Sequence, residues 1–138
     1  FDLGLKELSA DELTYCQTAV TNWKRLQAAI MDGVQYRLVS PYQSNHMAVN
    51  YVSRDTDKAV LFAYDIYPRF QEKLMPVRLQ GLNPDKRYKV EEINLKPSVK
   101  SALKANGKIY SGDYLMKVGL DVFGTAITQS HVIELTAQ

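Results

Sequence analysis

General acid–base work by paired carboxylates needs two acidic side chains facing one gap, about 5–5.5 Å apart where a displacement retains configuration. Glu91 and Glu92 are the closest acids within a strand-like segment, but neighbours on a strand point to opposite faces, so they cannot form that pair. Asp55 and Asp57 sit in a polar connection, where Asp caps its own turn; a calcium loop would need more ligands and a glycine that are missing there. His46 and His131 are the only histidines, and neither has a serine–base–acid or metal-ligand spacing around it. Both are read as structural. The single cysteine, Cys16, excludes an internal disulfide and a Cys-based zinc cage. The residues offer no catalytic set and no metal set.

Binding chemistry is the next candidate. Tyr64, Tyr67 and Phe70 cluster near the end of one strand-like run, and exposed rings of this kind stack on sugars. Strand propensity alone also accounts for tyrosines in such places, so packing and carbohydrate binding both stay open. Lys96, Lys100, Lys104 and Lys108 recur at intervals of four, with no aromatic residue interleaved among them. A solvated face explains them better than a nucleic-acid surface. The glycines are scattered, and no phosphate-cradling loop is present.

These residues depend on a helix and a set of strands for their positions. Ser9 and Glu12 form a capping box, Leu8 and Leu13 flank it as a staple, and Asp11 and Glu12 complement the helix dipole. Leu13, Cys16, Val20, Trp23, Leu26 and Ile30 then recur in steps of three and four, making one apolar stripe. Asp32-Gly33 ends the pattern, with Gly33 suited to a left-handed position past the cap. The spacing predicts a helix over 10–31, with Cys16 and Trp23 as packing residues on its stripe.

From Val34 the period becomes two. Alternation predicts strands at 34–38 and 47–52, and the near-continuous apolar run 59–67 suits the centre of a sheet. Arg54 to Lys58 reads as a hairpin connection. Shorter runs follow at 77–79, 88–93, 108–110 and 126–135, with one helical turn at 113–118. The fold class expected is mainly β: an antiparallel β-sandwich preceded by one long N-terminal α-helix.

The 138 residues suit one domain, able to bury roughly 65–70% of the unfolded surface. With 17 basic and 15 acidic residues the net charge is only +2, too balanced to point to a nucleic acid. No apolar run approaches the ~20 residues of a membrane span. The start, Phe1-Asp2-Leu3-Gly4-Leu5, has no initiator Met, and a complete helix follows at once. The expectation is a piece cut from a larger protein, in which Leu13, Val20, Trp23 and Ile30 have lost their neighbours. Such a stripe should fold back onto the strands or pair with a second copy.

Four ordered passages carry a resemblance. Met31 to Pro41, containing Gly33-Val34-Gln35-Tyr36-Arg37-Leu38-Val39-Ser40-Pro41, resembles the passage after the last barrel helix in α-galactosidases of glycoside hydrolase family thirty-six. Val60-Leu61-Phe62-Ala63-Tyr64 is similar to that family's central strand. Arg78-Leu79-Gln80-Gly81-Leu82-Asn83-Pro84, running on to Tyr88, and Tyr110-Ser111-Gly112-Asp113-Tyr114-Leu115-Met116 resemble two further signatures.

The resemblance implies a non-catalytic C-terminal β-sandwich that buttresses a (β/α)8 barrel. Residues 1–33 would be the tail of that barrel, including its last helix, and residues 34–138 the sandwich. The parent would be a retaining hydrolase of terminal α-galactosides, using two aspartates and no cofactor. Both aspartates belong to barrel motifs, and no position here matches either. The alternatives are a carbohydrate-binding module using Tyr64, Tyr67 and Phe70, and an assembly domain pairing through the helix stripe.

Overall fold

The computed structural model describes residues 4, 7–125 and 129–138. Helix α1 covers Ala10–Met31, and both halves of the expected capping box are formed by Ser9 and Glu12. The C-cap is Asp32, at φ −104°. Gly33 is not left-handed; it is needed for closeness, since a Cβ there would lie 2.1 Å from the Ala29 carbonyl oxygen.

Among the described residues six strands follow: β1 (Val34–Val39), β2 (His46–Val52), β3 (Lys58–Asp65), β4 (Arg87–Glu92), β5 (Ile109–Ser111) and β6 (Gln129–Ala137), with α2 (Gly112–Lys117) between the last two. They form one antiparallel sheet in the order β1-β2-β3-β6-β4-β5. The apolar run around Leu61 is therefore an interior strand, flanked by β2 and β6. The expected strand at 77–79 is reduced to one bridge, Val77 with Leu120. The start of the run at 126–135 lies outside the described residues, and its remainder is β6.

The two faces of the sheet are covered differently. Pairing register and alternation put Ala48, Leu61, Tyr88, Val90, Ile133 and Leu135 on one face. Connections from 66–86 and 93–108, with α2 and the stretch after it, cross that face and contribute Val77, Leu79, Leu82, Leu103, Leu115 and Leu120 to one continuous buried core. The fold is thus mainly β with a leading helix. The layer opposite the sheet is built from extended and irregular segments.

Helix α1 lies on the other face. Only Leu26 and Ala29 of the helix are buried, while Leu13 and Trp23 stay exposed. The stripe folds back over part of its length: Cys16, Val20 and Ile30 are half-buried. A groove of about 230 Å³ remains between Tyr15, Trp23 and Ile30 on the helix and Val60, Phe62 and Val132 on the sheet. Polar contacts hold the helix down. The Arg25 guanidinium pairs with Glu134 of β6, and Asn22 Nδ2 donates to the Ile93 carbonyl at 3.2 Å.

Candidate functional site

At the end of the sheet where β2 begins and β3 ends, strand pairing brings His46 opposite Asp65. His46 Nδ1 lies 2.7 Å from Asp65 Oδ1, and both side chains are buried. The other Asp65 oxygen accepts from the Gly124 amide at 2.9 Å and from Gln129 Nε2 at 2.8 Å. The His46 ring rests on Phe123, with centroids 4.6 Å apart. On its far side, Nε2 lies 3.3 Å from Glu72 Oε2, close enough for ion pairing but outside hydrogen-bond alignment.

Glu72 ties down the connection that leaves β3. It accepts from Asn45 Nδ2 at 3.2 Å and from the Arg69 amide at 3.3 Å, while the Tyr67 amide donates to the Asn45 carbonyl at 3.1 Å. Burial works to raise the Glu72 carboxyl pKa. The hydrogen bonds from Asn45 and the Arg69 amide, with the nearby His46, outweigh it and hold the group below its ordinary value.

The tied connection carries two of the aromatic candidates, Tyr67 and Phe70. Tyr67 and Phe70 are 75% and 87% exposed, and Tyr64 sits at the rim of β3. Among the described residues no ring contact joins the three, so they form separate projections. Trp23, read as a packing residue, is 48% exposed at the groove and packs on one side only.

A second buried pair lies on the same face. His131 Nδ1 is 2.5 Å from Glu92 Oε1, and the other Glu92 oxygen accepts from Ser101. Glu91, on the opposite face, pairs with Lys89 at 2.7 Å, as alternation required. Asp55 caps its own turn by accepting from the Asp57 amide at 3.0 Å. The chain from Lys96 to Lys108 is not helical, so its four lysines share no helix face; all are exposed.

The two carboxylates at His46 do not face each other. A retaining pair needs two carboxylates across an open gap, with one proton held high. Asp65 and Glu72 approach the same imidazole from opposite nitrogens, so the ring fills the space between them. The more accessible one, Glu72, is pushed toward ionisation. Among the described residues, no three His, Cys, Asp or Glu side chains are grouped to hold a metal ion. No helix among them is long and apolar enough to cross a membrane.

Sequence reasoning treated each histidine as isolated and so missed both pairs. The available signal was the facing of strand ends, which requires the register.

Comparison with known proteins places this geometry. The chain is 33% identical over 119 residues to α-galactosidase 1 of Pediococcus pentosaceus, covering 86% of this chain and 14% of that protein. It is 28% identical over 137 residues to probable α-galactosidase G of Aspergillus terreus, covering 99% of this chain and 17% of that protein. Its fold matches the crystal structure of the α-galactosidase AgaB from Geobacillus stearothermophilus with a TM-score of 0.77 at 24% identity, over 96% of this chain and 17% of that one. The chain therefore spans a minor share of the length of these relatives. Residues 46–135, from His46 through β6, match the glycosyl hydrolase family 36 C-terminal domain, and the chain belongs to that family.

Proposed function

We propose that this chain is the non-catalytic C-terminal part of an α-galactosidase-like retaining glycoside hydrolase and buttresses the barrel that cleaves terminal α-galactosides. One observation carries the reading: the acids that the fold buries are engaged in holding it together. The side chains of Asp65, Glu92 and Glu134 are 0%, 3% and 7% exposed, and each is paired with His46, His131 or Arg25. A carboxylate buried and committed to a partner within the fold is not free to face a substrate.

On this reading residues 1–33 are the tail of the barrel and residues 34–138 the accessory domain. The half-open seating of α1 supports that division, since a helix belonging to a neighbouring unit keeps part of its stripe for that neighbour. Purified chain incubated with an aryl α-galactoside should give no turnover. Activity that survived repurification would overturn the proposal. Added in trans to the barrel expressed without residues 34–138, the chain should raise the barrel's melting temperature.

Two further roles have specific support. The exposure of Tyr67 and Phe70 favours a carbohydrate platform with Tyr64, tested by titrating galactose or raffinose into wild type and Tyr67→Ala. The exposed Leu13 and Trp23, with half-buried Val20 and Ile30, favour homo-oligomer formation by the separated chain. Light scattering tests that association.

A further inference from the structure

The signature around Tyr110 to Met116 contains two neighbouring rings, of which Tyr110 packs partly against the core and Tyr114 does not. Tyr110 at the end of the sheet and Tyr114 on α2 stack, with centroids 5.1 Å apart and planes at 16°. Leu115 of the same turn is fully buried, which anchors the pair, while Tyr114 is 41% exposed. Beside them is a depression of about 70 Å³, floored by Gly119 and Leu120 and bordered by Lys104 and Asp121. Gly119 has φ +91°, and a Cβ there would meet the Val77 carbonyl oxygen at 2.4 Å, so the floor is fixed backbone.

The polar groups at the rim are uncommitted. Lys104 and Asp121 are exposed and are not paired with each other. A free ammonium donates only and a free carboxylate accepts only, while the two phenols can do both. Opposite charges at one rim disfavour a ligand with net charge and suit one whose hydroxyls both donate and accept. The ring pair supplies an apolar surface for the C–H face of such a ligand.

We propose that Tyr110, Tyr114, Lys104 and Asp121 form a shallow subsite for the edge of a neutral pyranose ring. The depression is too small to enclose a monosaccharide, so most of the sugar stays in solvent and affinity is millimolar. This subsite is separate from the Tyr64, Tyr67 and Phe70 projections, whose neighbouring acid, Glu72, is already engaged by Asn45, Arg69 and His46.

The test is amide NMR of the 138-residue chain titrated with raffinose to about 50 mM, the range where a millimolar complex saturates. Saturable shifts should centre on residues 104, 110, 114 and 119–121. Tyr114→Ala should weaken binding by roughly tenfold, and the isosteric, surface-placed Asp121→Asn by a few-fold. If Tyr114→Ala fails to fold, Asp121→Asn alone decides. Absence of saturation, shifts confined to 64–72, or unchanged affinity in Asp121→Asn would each overturn the assignment.

Discussion

The two faces of this sheet are made by the same strands yet are finished by different means. The face toward the connections is sealed: Leu61, Tyr88, Ile133 and Leu135 are fully buried under Leu79, Leu115 and Leu120. The face toward α1 is half-sealed, with a groove of about 230 Å³ and a helix that buries two of its residues. Apolar burial dominates the first, while the second depends on the Arg25–Glu134 pair and the Asn22 contact. The difference teaches which face this chain's own residues cover. The connection face is closed by them; the helix face has apolar surface left over.

Breaking the sealed side should have the largest effect. Asp65→Ala would orphan the buried His46 ring nitrogen, the Gly124 amide and Gln129, at about 1–3 kcal/mol for each buried group left unpaired. Leu61→Ala removes a fully buried side chain and should cost about 2–5 kcal/mol. Trp23→Ala on the open face should cost roughly 1 kcal/mol, because about half of that ring is already in water. Urea denaturation of the three variants measures the contrast, and equal losses would dissolve it.

On the helix face the larger loss belongs to Arg25→Ala. It strands Glu134 on the helix face, and a buried acceptor left unpaired costs about 1–3 kcal/mol. Hydrogen exchange should rise in 10–31 and stay unchanged in β3 and β6. Uniform acceleration would mean that helix and sheet open as one unit.

Acid should act on a smaller region. The folded Glu72 pKa lies below its ordinary value of 4.5, so its contribution is present above that value and fades as pH falls through the lower folded value. Protonation weakens the contacts to Asn45 and Arg69, and the backbone amides of 66–72 should lose protection first. A pH series of hydrogen exchange below about pH 4.5 checks this, with Glu72→Gln as the variant that has no acid transition there. A loss as small as that of Trp23→Ala is expected from Ser9→Ala, which removes the cap and should cost about 1 kcal/mol of helix stability. Circular dichroism would show fraying at the helix start with the sheet signal intact.

Much of the fold was legible because its signals are local. The capping box, the three-and-four spacing and Asp32-Gly33 bounded the helix at Ala10–Met31, as the structure has it. The run around Leu61 identified an interior strand through its unbroken apolarity. Val77–Leu79 misled because an apolar triplet reads alike whether it pairs along a ladder or through one bridge. Gly33 misled because a helix-ending glycine can be required by a neighbouring carbonyl as readily as by positive φ. Of the site, the exposed aromatics Tyr67 and Phe70 could be named, but the buried pairs that hold their connection could not.

By itself the sequence determined the bounds of the long helix, the interior strand around Leu61, and the opposite facing of Glu91 and Glu92. Caps, periods and turn residues act within a few positions of chain and leave a readable trace. The tertiary structure alone decided that His46 meets Asp65 and Glu72, that His131 meets Glu92, and that Arg25 reaches Glu134 across 109 positions. Those pairings follow from strand order and register, and a charge carries no mark of its distant partner until folding brings the two together.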